Sequence, residues 1–214
     1  MEKACYIIIG ILILIFLKSD DKDFYTDIKN VTNTESYTVL VNKNNKLSED
    51  YIPNNLEMIS LKYAYENKYL KKVAKEAFEK LSYDASLLGY RIIATSAYRD
   101  YKYQEELFNY YVKEKGLEYA LMCSAKSGHS EHQTGLAVDV EGSNFDYDEF
   151  ENSKEFDWMN KNAHKYGFIL RYPKGSEHIT GFKYEPWHYR YVGVDAATYI
   201  YEKNITLEEY IQIK

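Results

Sequence analysis

Apolar positions recur at intervals of three and four from Lys71 onward, at Val73, Ala74, Ala77, Phe78, Leu81, Ala85 and Leu88, which predicts an amphipathic helix. Gly89 follows, and glycine closes helices because the left-handed conformation costs it no Cβ clash. The pattern then changes to a short run over residues 90–95 that reads as a strand. A second helix is expected from Asp100, a capping residue type, to Lys115, with Gly116 ending it. A third is expected over residues 153–166 before Gly167, and strands over 136–140, 168–171 and 184–192. Thr206-Leu207-Glu208-Glu209 has the capping-box pattern of a short terminal helix. Helices gather ahead of strands, so the expected class is α+β, with helices packed on a mainly antiparallel sheet.

Residues 4–17 form the strongly apolar segment, without a charge and flanked by Lys3 and Lys18. As a helix it would span roughly 21 Å, short of the roughly 30 Å hydrocarbon core of a bilayer. That length suits a signal sequence, but the residues after it lack the small-x-small cleavage pattern, so retention as an anchor is equally open. The expected organisation is a signal peptide or membrane anchor over 1–19, a polar tether over 20–36, and one catalytic domain over 37–214 led in by a short strand at 37–41. The catalytic part is then exported, to the outer face of the membrane or the cell wall. Cys5 lies in the apolar segment and Cys123 stands alone, so no internal disulfide is expected. A net charge of -6 without a basic run of five excludes nucleic acid as a partner. The 24 tyrosines read as compositional bias rather than as sugar platforms.

The chemistry concentrates in Ser130-Glu131-His132-Gln133-Thr134-Gly135-Leu136-Ala137-Val138-Asp139 and in Glu185-Pro186-Trp187-His188. A catalytic zinc takes three protein ligands and leaves a fourth position for water. His132, Asp139 and His188 fill the three, and Glu185 is spare. Gly135 permits the tight turn that brings His132 back over the apolar run carrying Asp139. A carboxylate in that run needs a partner, and a divalent cation is one. Strict alternation would put Glu185 and His188 on opposite strand faces, so Pro186 is expected to mark an irregular start. His129, His164 and His178 are read as non-ligands, Cys123 as a small buried hydrophobe, and the acidic stretch 141–151 as a solvated face without a calcium-loop pattern.

These two stretches, with Ser96-Ala97-Tyr98-Arg99 and Gln104 upstream, resemble the signature of the zinc D-alanyl-D-alanine carboxypeptidases of the VanY type. Leu40-Val41-Asn42-Lys43 and Arg171-Tyr172-Pro173-Lys174-Gly175 are also similar to family segments, and the likeness runs from about Tyr37 to the C-terminus. The resemblance implies one catalytic Zn2+ on His132, Asp139 and His188, Glu185 as general base, and Arg99 as a catalytic and substrate-binding guanidinium. Gln104 and Ser130 are implied as further substrate contacts, and Trp187 is expected under the metal strand. The implied reaction is removal of a C-terminal D-alanine from peptidoglycan stem peptides, D,D- or L,D-, by a monomer. Two rivals stay open: a peptidoglycan endopeptidase with the same zinc site, and a non-catalytic cell-wall-binding module. The second would keep the ligands and lose the base, which Glu185 argues against.

Overall fold

The computed structural model describes residues 24–143 and 149–214. The apolar segment 4–17 lies outside them, and among the described residues no helix is long and apolar enough to cross a membrane. The described residues open with a two-residue parallel pair, β1 (Lys29–Asn30) and β2 (Asn45–Lys46), and an antiparallel pair, β3 (Leu56–Met58) and β4 (Tyr69–Lys71). Helix α1 (Lys72–Leu87) leads to β5 (Ile93–Ser96), and α2 (Tyr101–Lys115) and α3 (Leu117–Cys123) follow. Then come β6 (Ala137–Glu141), α4 (Lys154–Asn162), β7 (Phe168–Leu170), α5 (Glu177–Thr180), β8 (His188–Tyr191), α6 (Val194–Lys203) and α7 (Leu207–Ile213).

The central sheet has the order β5-β6-β8-β7, antiparallel throughout, in accord with the expected α+β class. Alternation along its strands separates two faces. Val138 and Val140 of β6, Tyr189 and Tyr191 of β8 and Phe168 of β7 pack with Ala74, Phe78, Leu81 and Ala85 of α1 in the main core. Phe78 meets Phe168 edge to face at 6.3 Å. The intervening residues Asp139, His188 and Arg190 point to the other face, and Ile169 beside them is covered by Ala196, Ala197 and Ile200 of α6 and Leu207 and Tyr210 of α7. One sheet face therefore carries the main core, and the other carries polar groups in fixed register beside a smaller apolar cluster under α6 and α7.

The expected caps of α2 and α7 are present, and α4 proves to be capped as well. Asp100 accepts from Tyr103 N at 2.7 Å, Ser153 accepts from Phe156 N at 3.0 Å, and Thr206 and Glu209 form a reciprocal capping box. Three expectations need correction. The strand expected over 37–41 is irregular chain, because the carbonyls of Tyr37 and Val39 accept from the buried Arg190 guanidinium at 3.0 and 2.8 Å instead of from a strand partner. The tether expected over 20–36 is docked from Phe24 on. Tyr25 N donates to Asn44 Oδ1, its hydroxyl accepts from Lys126 N, its ring packs on His129, and β1 pairs with β2. The strand expected over 184–192 begins only at His188.

Candidate active site

Strand register builds the site. Asp139 of β6 stands opposite both His188 of β8 and Ser96 of β5, so their side chains share one face, and the register shifts between Ala94 and Ser96. His132 comes from a 3₁₀ turn over Glu131–Thr134 that ends at Gly135, whose φ of 68° is left-handed. A Cβ there would lie 2.9 Å from Leu56 Cδ2 and 3.2 Å from Lys71 N, so the close approach to β4 also requires glycine. Glu185 and His188 are the ends of a turn through Pro186 and Trp187, closed by His188 N donating to Glu185 O at 3.2 Å. The turn replaces strand alternation, as the proline suggests, and sets Glu185 Oε2 3.7 Å from His188 Nδ1.

His132 Nε2 lies 3.3 Å from Asp139 Oδ2, and His188 Nδ1 lies 2.9 Å from Asp139 Oδ1. One ligand atom from each of the three residues falls within 4.8 Å of the others. Tetrahedral zinc with bonds of about 2.0–2.2 Å spaces its ligand atoms by roughly 3.3–3.6 Å, so the donor set fits. His132 Nε2 is buried without a hydrogen bond, an arrangement costly unless a cation completes it. The ring tautomer also fits: His132 Nδ1 lies 2.6 Å from the Ala97 carbonyl, which only accepts, so Nδ1 carries the proton and Nε2 is bare.

Burial, then the Arg99 charge, push the His132 imidazole down to about 4, keeping it neutral. Burial works against a charged His188, but Asp139 and Glu131 outweigh it and raise the group to about 9. Burial also opposes ionisation of Asp139, yet the two imidazoles together hold it well below the usual carboxylate range. Glu185 is raised to about 7, chiefly by burial and next by the Asp139 charge, against the pull of His188 and Arg99. A carboxyl near neutrality is suited to accept and return a proton.

The site opens into a cleft of about 570 Å³ lined by Arg99, Ser130, Trp187, the α2 residues Tyr103, Leu107 and Tyr111, and Lys183. Arg99 Nη1 donates to Ser96 Oγ at 3.0 Å and lies 3.6 Å from Asp139 Oδ2, while its buried Nε has no partner. Trp187 packs partly against the core, as expected, and also lines the cleft. Gln104 is elsewhere. It is buried outside the cleft wall and donates to Ala125 O at 2.7 Å and Ser124 Oγ at 3.3 Å, so it braces the wall. His129 bonds the Asn42 carbonyl, His164 stacks on Tyr201, and His178 lies exposed in α5, all apart from the His132, Asp139 and His188 group. Cys123 is only partly buried and lines the cleft, contrary to its reading as a buried hydrophobe. Sequence reasoning passed over Glu131, Arg190 and Glu208, and took Arg171 only as part of a similar segment. An arginine inside the alternating strand His188–Tyr191 was the available signal, because a guanidinium there demands a buried carboxylate.

Donor atoms converging on one point, with a base-like carboxyl and a guanidinium beside them in an open cleft, define a metal-dependent hydrolase. Comparisons with known proteins narrow the class. The VanY D-alanyl-D-alanine carboxypeptidase profile matches residues 67–194. The putative carboxypeptidase YodJ of Bacillus subtilis is 39% identical over 205 residues, covering 90% of this chain and 75% of its own. The bifunctional D-Ala-D-Ala dipeptidase and carboxypeptidase VanXYC of Enterococcus gallinarum is 38% identical over 176 residues, covering 80% of this chain and 91% of its own. Among solved structures, the LdcB LD-carboxypeptidase superposes with a TM-score of 0.81 at 39% identity, covering 87% of this chain and 91% of that one. A VanY D,D-pentapeptidase variant in complex with Zn(II) gives 0.71 at 33% identity, covering 82% and 98%. The chain belongs to the VanY D-alanyl-D-alanine carboxypeptidase family, and it is a carboxypeptidase.

Proposed function

We propose that the protein is a zinc carboxypeptidase that releases the C-terminal D-alanine of peptidoglycan stem peptides. The observation that carries this reading is the convergence of His132, Asp139 and His188 beside Glu185 at the floor of an open cleft. Zinc held by those three residues would supply a Lewis acid for the scissile carbonyl and lower the pKa of a water to about 7. Glu185 takes the proton of the attacking water and delivers it to the leaving amine. Arg99, in the cleft wall, offers its guanidinium to the anionic part of the substrate, the terminal carboxylate or the developing oxyanion. Ser130, at the cleft wall beside the metal turn, offers a hydroxyl to the peptide backbone. Residues 1–19 serve as an export signal or anchor, and the enzyme acts as a monomer on nearby wall. Mass spectrometry of a digest of pentapeptide and tetrapeptide muropeptides tests the reaction. Products shorter by one alanine are expected, and internal cleavage would instead establish the endopeptidase.

A further inference from the structure

His132 is oriented by the Ala97 carbonyl, and His188 has a different device. Glu131, the residue beside His132, has no exposed side-chain surface. Its Oε1 accepts from Arg171 Nε at 2.7 Å and from Arg190 Nη1 at 2.6 Å. Both arginines engage the same oxygen, so Oε2 is left over. That oxygen faces His188 Nε2 across 3.6 Å, within ion-pair distance though longer than a hydrogen bond, and neither atom has a hydrogen-bond partner. Two guanidiniums on one carboxylate leave a surplus positive charge, and α7 supplies the balance. Arg171 Nη1 and Nη2 donate to Glu208 Oε2 and Oε1 at 2.9 and 2.7 Å, and Asn42 Nδ2 also donates to Glu208 Oε1 at 3.1 Å. Arg190 spends its other N–H groups on the carbonyls of Tyr37, Val39 and Tyr191.

We infer that Glu131 is a positioning residue that holds the proton of His188 on Nε2 and so leaves Nδ1 bare for the metal, and that α7 completes this support through Glu208. The inference rests on the reading of His132, Asp139 and His188 as metal ligands. Outer hydrogen-bond partners of metal-bound histidines fix tautomer and ring orientation, and a chain of buried charges carries that effect to the terminal helix. Linkage then makes the effect reciprocal: docking of α7 strengthens zinc binding, and zinc strengthens the docking of α7.

The test measures zinc affinity of the full-length protein by chelator competition and amide hydrogen exchange with and without zinc. Glu131→Gln, if folded, should bind zinc about 10- to 100-fold more weakly. At full cobalt occupancy its visible spectrum should also differ from wild type, which a merely structural lesion would not produce. Glu208→Gln keeps its shape and stands one step farther away, so about two- to thirtyfold weaker binding is expected. In the wild type, zinc should slow exchange over Leu207–Ile213, and in Glu208→Gln it should do so less. Wild-type zinc affinity in Glu208→Gln would overturn the inference. A wild-type protein that binds no zinc would instead defeat the assignment of the three ligands.

Discussion

At the scale of single residues, the cleft separates groups that hold from a group that reacts. Glu185→Gln removes a proton acceptor and leaves the side chains of His132, Asp139 and His188 in place. Turnover should therefore fall by about two to four orders of magnitude while bound zinc stays near wild type. His132→Ala or Asp139→Ala should lose the metal together with the activity. Metal analysis alongside turnover on one muropeptide separates the cases, and a Glu185→Gln variant with wild-type turnover would remove the base from this role. The grouping of His132, Asp139 and His188 was legible because Asp139 and His188 fall on two strands whose register brings them together, and Gly135 marks the turn that returns His132 to them. Glu131 was not legible, since a glutamate beside a histidine looks solvated until its arginine partners, distant in sequence, are known. Gln104 shows what the sequence leaves out: its amide nitrogen is tied to the chain at Ser124 and Ala125, a tertiary fact that the motif does not carry.

At the scale of elements, long periodic segments were readable and short ones were not. The predicted helix at α1 carries enough turns to show an apolar stripe, and Asp100 and Gly116 announce α2 through capping chemistry. The pairs β1–β2 and β3–β4 offer two or three residues each, too few for alternation to register, and α3 is a single short stretch behind Gly116. Residues 37–41 look extended and apolar, but which groups satisfy their carbonyls is a tertiary fact. The turn at Gly135 is the element on which His132 depends, and it combines positive φ with crowding against β4. Gly135→Ala should destabilise the domain by about 1–3 kcal/mol. Thermal unfolding would show this as roughly 2–4 °C per kcal/mol, and an unchanged midpoint would mean that the turn relaxes freely.

At the scale of the whole molecule, a sheet whose one face packs the main core while the other holds buried charges makes folding, metal binding and pH interdependent. Without metal, Glu185 is raised from 4.5 to about 7, so ionising it above the unfolded value costs stability as pH climbs through that window. His188 is raised from 6.5 to about 9, so its contribution is full below 6.5 and is lost as pH climbs through 9. In the acid direction, Glu131 and Asp139 are depressed, and the stability they bring above the ordinary carboxylate range is lost as pH falls. Zinc changes the alkaline limb, because coordination needs His188 Nδ1 free of its proton and so releases about one proton near neutral pH. Its affinity, and the stabilisation that follows by mass action, should grow with pH until His188 is already neutral. The increase in unfolding temperature on adding zinc is therefore expected to be larger at about pH 8.5 than at about pH 6, and the heat of zinc binding near pH 7 should vary with the ionisation enthalpy of the buffer. A zinc increment that is flat across this range, with buffer-independent heat, would show that no proton leaves His188 when the metal arrives.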